Sequence, residues 1–126
     1  MSGTIVIDLD GTLTIPGSAQ SYAEMKPNPA VVAQLKRYAA DGFRIAVMTS
    51  RNMRSFGNSI GRINAETLPV AIDWLKRHEI PFDEIHVGKP WCGEDGFYVD
   101  DRAIRPSEFL KLSRPAIAAL LAAEQP

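Results

Sequence analysis

The chain has 126 residues, 45% of them hydrophobic and 23% charged, with a formal net charge of −1 at pH 7. That is the make-up of a single globular domain, residues 1–126, with enough chain for one core. The near-neutral balance argues against nucleic acid or an acidic membrane surface as partner, no apolar run reaches the ~18 residues of a membrane span, and a lone cysteine, Cys92, excludes an internal disulfide and fits a reducing cytoplasm.

Residues 4–9 form an apolar, β-branched run that reads as a buried strand. It has no basic segment before it and Asp8 interrupts it, so no signal peptide is expected. The run closes on Asp8-Leu9-Asp10-Gly11. Strand residues i and i+2 share a face, which aims both carboxylates one way and Leu9 into the core. Gly11 then lets the chain turn sharply. Two like charges this close need a compensating cation. The expected compensation is a magnesium ion plus a lysine distant in sequence.

A loop of turn-formers follows, through Pro16, Gly17 and Ser18 to Pro27. The first helix is well punctuated, with Asn28 as N-cap, Pro29 at the first helical position and Gly42 just past the end. Residues 43–48 read as strand two, which runs into Thr49-Ser50-Arg51. A long Gly- and Asn-rich loop is expected over residues 52–66, and a loop of that length is usually functional or mobile. The second helix is predicted over residues 67–78 with Pro69 in its first turn, strand three over 84–87, strand four over 97–99, and two helices over 106–112 and 115–123, the latter capped by Ser113. This order predicts an α/β fold: a Rossmann-like, doubly wound, mostly parallel sheet with helices on its faces.

In such sheets ligands bind beyond the carboxyl ends of the strands, and the polar groups fall there. Strand one ends in Asp8 and Asp10, strand two in Thr49, strand three near Lys89, and strand four in Asp100-Asp101. Carboxylates at this density make a hard oxygen site suited to magnesium. Lys89 suits a phosphate oxygen, and Thr49 with the N–H of Ser50 can bond the same group. The set describes phosphoryl transfer, in which catalysis is mostly positioning and charge neutralisation. One aspartate serves as nucleophile and another as general acid and base.

These strand-end motifs resemble those of the haloacid dehalogenase superfamily of phosphohydrolases. Asp8-Leu9-Asp10-Gly11-Thr12 is similar to its first motif, Thr49 to its second, Lys89 to its third and Asp100-Asp101 to its fourth, in the family's order. The stretches around Thr49–Arg54, Gly57-Asn58, Gly88–Gly93 and Gly96–Pro106 further resemble a small group assigned to capsule-biosynthesis phosphatases. The resemblance implies Asp8 as nucleophile and magnesium ligand, and Asp10 as acid and base with its main-chain carbonyl on the metal. It also implies Thr49, Ser50 and Lys89 as phosphate-binding, Asp100 as a metal ligand, and Asp101 as a ligand through water or an orienter of Lys89. An acid at position 10 separates phosphatases from the dehalogenases of the superfamily, whose halide leaving group needs no proton.

The gaps between motifs hold one loop and one helix each, too little for a substantial cap domain. The site is expected to be open, or closed by a second copy of the chain. Arg51, Asn52, Asn58 and Trp91 are the candidate contacts to the leaving group of a small phosphorylated metabolite, a sugar or polyol phosphate. The alternatives are a receiver-like phospho-aspartate signalling module and a phosphotransferase or phosphomutase on the same chemistry. A receiver has its adjacent acidic pair on the first strand, and here that pair comes last. Cys92 lacks the arginine six residues on that a cysteine phosphatase needs, and Tyr98 stands there. His78 and His86 are too isolated for a metal pair.

Overall fold

A computed structural model of the protein describes residues 3–89, 94–95, 98–100 and 102–124, which fall into two units, Met1–Trp91 and Cys92–Pro126. The first unit carries three parallel strands, β1 (Thr4–Asp8), β2 (Arg44–Thr49) and β3 (Glu84–Val87), in the order β1-β2-β3. Register pairs Asp8 with Met48 and Thr49 with Val87, so the carboxyl ends of the three strands meet at one edge. β2, paired on both sides, supplies Ile45, Ala46, Val47 and Thr49 to the buried interior. This is a small α/β architecture with helices around a parallel sheet.

Helix α1 (Pro29–Ala40) forms as its punctuation predicts. The Asn28 side chain accepts a hydrogen bond from the Val31 N–H at 3.3 Å, and Gly42 leaves the helix at a φ of 95°. Val31, Val32, Leu35 and Tyr38 make its buried stripe, each removal of apolar surface from water contributing roughly 1.5–3 kcal/mol for a fully buried large side chain.

The predicted loop over 52–66 is corrected by the structure. Helical backbone starts at α2 (Ile60–Arg62), passes through a wider π turn at Ile63–Thr67, and continues as α3 (Leu68–Arg77). The Ser59 side chain caps the start by accepting from the Arg62 N–H at 3.3 Å. The α3 bounds match the predicted 67–78 helix within a residue, and the unexpected helical turns over 60–67 lie ahead of its expected first-turn residue, Pro69. It has no N–H to donate and its ring crowds the carbonyl four residues back. The chain accommodates it with the π turn, in which the Leu68 N–H reaches the Ile63 carbonyl, five residues back. Ile63, Thr67, Ala71, Trp74 and Leu75 form the buried face of the run. Only residues 51–59 remain as a loop, a series of turns with Asn52 and Asn58 both at a φ of 64°.

In the second unit, α4 (Pro106–Lys111) and α5 (Arg114–Ala122) match the predicted helices within a residue. The Ser113 side chain caps α5, accepting from the Ala116 N–H at 3.2 Å. Strand four is not formed by residues 98–100, which are irregular, and Phe97 lies outside the described residues. Among the described residues no helix is long and apolar enough to cross a membrane.

Candidate active site

β1 ends one residue earlier than the alternation predicts, at Asp8. Asp10 belongs to the turn that follows, closed by the Thr14 N–H donating to the Leu9 carbonyl at 3.1 Å. Its backbone stays extended, with φ −80° and ψ 124°. The strand's alternation thus runs past the sheet, with Leu9 fully buried and Asp8 and Asp10 half-buried on either side of it. Gly11 makes the reversal at a φ of 81°.

Lys89 reaches the same edge from β3. Its N–H donates to the Thr49 carbonyl at 3.2 Å, which carries the pairing one step beyond the strand. Its ammonium lies 3.8 Å from Asp8 Oδ2, an ion pair too long for a hydrogen bond. Gly88 sets this approach at a φ of 93°, and a Cβ there would stand 2.5 Å from Ile60 Cδ1. Gly88→Ala is expected to cost about 1–3 kcal/mol, read as a lower denaturation midpoint. Adding Ile60→Ala should restore only the smaller share, because the backbone strain stays; full recovery in the double variant would mean that side-chain crowding alone made the glycine necessary.

The compensating charge is divided. Lys89 faces Asp8, while Asp10 is held by a second cation, Arg51. Arg51 Nη2 donates to Asp10 Oδ1 at 2.8 Å, and Nε donates to Oδ1 at 3.2 Å and Oδ2 at 3.3 Å. The Thr49 hydroxyl donates to Asp10 Oδ2 at 3.0 Å and accepts from the Arg51 N–H at 2.9 Å. Arg51 is buried, its side chain 1% exposed, and its Cζ lies 4.0 Å from the centre of the Tyr22 ring. Thr49 is likewise fully buried, with its hydroxyl turned to Asp10.

Burial pushes the Asp8 carboxyl above its ordinary value; the Lys89 ammonium opposes that shift and the Asp10 charge adds to it. Asp8 and Asp10 put carboxylate oxygens at this edge of the sheet. A hard divalent cation fits such a place. Among the described residues, no three His, Cys, Asp or Glu side chains are grouped to hold a metal ion by themselves.

The other candidates are placed as follows. The Ser50 carbonyl, just ahead of the 51–59 turns, accepts from the Met53 N–H at 2.9 Å. Asn52 Oδ1 accepts from the Thr67 hydroxyl at 2.6 Å, pinning the turns to the helical run. Asn58 is exposed, its N–H bonded to the Met53 carbonyl at 2.7 Å. Asp100 belongs to the second unit, exposed, with Oδ1 accepting from the Arg102 N–H at 2.9 Å. Trp91, Cys92 and Asp101 lie outside the described residues. Tyr22 had no signal in the sequence. It sits on a single 3₁₀ turn, Tyr22–Glu24, in a loop of turn-formers, and only the folded chain puts it over Arg51.

No protein-family model and no curated protein matches the chain. Among solved structures, the chain is similar to a structural-genomics target protein from Vibrio cholerae, with 46% sequence identity, a TM-score of 0.93, and coverage of 99% of this chain and 100% of that one. A second likeness, at 20% identity and a TM-score of 0.51, is to part of a chain in the Pnkp1/Rnl/Hen1 complex, covering 86% of this chain and 34% of that one. It bears on the fold alone. At 46% identity over their full lengths, this chain and the Vibrio cholerae protein belong to one family.

Proposed function

We propose that the protein is a magnesium-dependent phosphomonoester hydrolase with a haloacid-dehalogenase-like fold, working through an aspartyl-phosphate on Asp8. The observation that carries this reading is the meeting of Asp8, Asp10, Thr49 and Lys89 at the carboxyl ends of three parallel strands. The substrate class it suggests is a small sugar or polyol phosphate of polysaccharide (capsule) biosynthesis, a suggestion that rests on the sequence resemblance.

In this reading an Asp8 carboxylate oxygen attacks phosphorus and the bond from phosphorus to the ester oxygen breaks. Asp10, which must carry a proton when the ester bond breaks, gives it to the departing oxygen and is left as the carboxylate. Water then attacks the phosphorus of the aspartyl-phosphate, Asp10 takes a proton from it, and the bond to Asp8 breaks, releasing phosphate. Lys89 offsets charge on the phosphoryl oxygens throughout. Asp8 and the Asp10 main-chain carbonyl are the groups of the first unit that would hold magnesium, with waters and substrate phosphate completing its oxygen shell. When bound, the ion supplies charge neutralisation for nucleophile and phosphoryl group.

The test is magnesium-dependent release of phosphate from p-nitrophenyl phosphate and from a panel of sugar and polyol phosphates. Multiple turnover supports the reading; a stable phosphoprotein without turnover favours the receiver. The sequence resemblance alone implies a metal-binding role for Asp100, on which Asp100→Asn should raise the magnesium concentration for half-maximal rate by at least about tenfold. An unchanged magnesium dependence would remove Asp100 from the site.

A further inference from the structure

We propose that Arg51 is a positioning residue: it holds the Asp10 carboxylate in the attitude needed to meet the departing oxygen, with the Tyr22 ring as its cover. The proposal rests on the phosphatase reading for what Asp10 does, and on the structure for how Asp10 is held.

Both Asp10 oxygens are engaged before any substrate arrives. Oδ1 takes the Nη2 and Nε donations of Arg51, and Oδ2 takes the Thr49 hydroxyl and the second branch from Nε. A carboxylate has about four acceptor positions. Three donors are engaged here, Nη2, the Nε shared between both oxygens and the Thr49 hydroxyl, so about one position remains, and the exposed 34% of the Asp10 side chain is where it can meet substrate. A planar fork fixes a carboxylate's orientation as a single point charge cannot.

Arg51 is itself held from several sides. Its N–H is bonded to Thr49, at the end of β2. The Tyr22 ring lies on its guanidinium. The turn bearing Tyr22 is tied to α3, where Trp74 Nε1 donates to the Met25 carbonyl at 2.7 Å and Arg77 Nη2 donates to the Ala23 carbonyl. Arg51 Nη1 is buried with no hydrogen-bond partner among the described residues. Leaving a buried donor unpaired is unfavourable for stability, and a packed apolar side chain would fill the same space without that cost. What the arginine adds is the orientation of Asp10, a group placed in advance of the reaction.

Such a residue has a signature that general damage to the fold lacks. An acid matters for a poor leaving group and little for a good one. Turnover is therefore to be measured on glycerol phosphate, an alkyl ester, and on p-nitrophenyl phosphate, with magnesium present. Arg51→Ala should lower kcat on the alkyl ester by about 100-fold, the low end of what general acid catalysis supplies. Its effect on p-nitrophenyl phosphate should be only a few-fold. Millimolar guanidinium should return part of the alkyl-ester rate. Tyr22→Ala should shift the ratio in the same sense by less, and Tyr22→Phe should leave it unchanged. Arg51→Lys keeps the buried charge without the fork, and should show the same ratio shift if the alanine variant fails to fold. Equal losses on both esters would overturn the proposal. A crystal structure of the Arg51 variant decides it without catalysis: an Asp10 carboxylate still in its place overturns it, and a displaced one supports it. A wild-type protein that hydrolyses neither ester would sink the phosphatase reading and leave the positioning of Asp10 to that structure.

Discussion

Asp8→Asn is expected to abolish turnover and, in magnesium-free buffer, to make the protein more stable. The activity loss follows from removal of the attacking oxygen, and nucleophile deletions in comparable covalent mechanisms cost about 10⁴-fold or more. The stability gain follows from the Asp8 environment. Burial disfavours its charge, the Asp10 carboxylate repels it, and Lys89 at 3.8 Å offsets only part of this. A carboxyl whose folded pKa is raised adds stability that is complete below its unfolded value and is lost as pH rises through the folded one. As pH rises through the folded value the wild type loses that contribution and the asparagine variant does not. Thermal melts should show a gain for Asp8→Asn of about 0.5–2 kcal/mol near neutral pH. The difference should shrink toward zero on acidification, where Asp8 is neutral in both folded and unfolded chains. Magnesium should also shrink it, by stabilising the wild type alone. A variant less stable than wild type at pH 7 without magnesium would contradict this account of Asp8.

Asp10→Asn should move stability the other way. Asp10 is the counter-ion of a guanidinium whose side chain is 1% exposed. Removing one partner of a buried pair leaves the other uncompensated. Because Asp10 is itself a third exposed, water takes up part of the loss, and the expected cost is about 1–3 kcal/mol. Turnover of alkyl phosphates should fall by about 10²–10⁴-fold, while binding of inorganic phosphate, measured by calorimetry with magnesium present, should change little. Two neighbouring aspartates thus carry opposite signs in the same melting experiment. If both substitutions destabilised the protein alike, the division of the two cations between them would be wrong.

Much of this was legible beforehand wherever a local rule decides. Asn28, Pro29 and Gly42 bracket α1 because capping depends on residues a few positions apart. Ser113 marks the start of α5 for the same reason. Pro69 marked the first turn of α3 as expected, but it gave no sign of the helical turns over 60–67 that run into it. Whether helical backbone precedes it depends on Ile63 finding a buried place to pack, and nothing within a few residues says so. Arg51 was readable as a residue next to the chemistry, but its direction was not. A basic side chain after a strand end can face solvent, substrate or protein.

The sequence by itself determined the strand ends and what they carry: an apolar β-branched run closing on Asp8 and Asp10, another on Thr49, a third before Gly88-Lys89. Period-two burial and turn chemistry are local, so these positions follow from the chain alone. The tertiary structure decided the pairing. Parallel register brings Asp8, Thr49 and Lys89 to one edge from positions about 40 residues apart along the chain. It assigns Lys89 to Asp8 and Arg51 to Asp10, and lays Tyr22 over the guanidinium. Ion pairs and ring contacts of this kind act across space with no trace in residue spacing, which is why the two aspartates that look alike in the sequence are unequal in the fold.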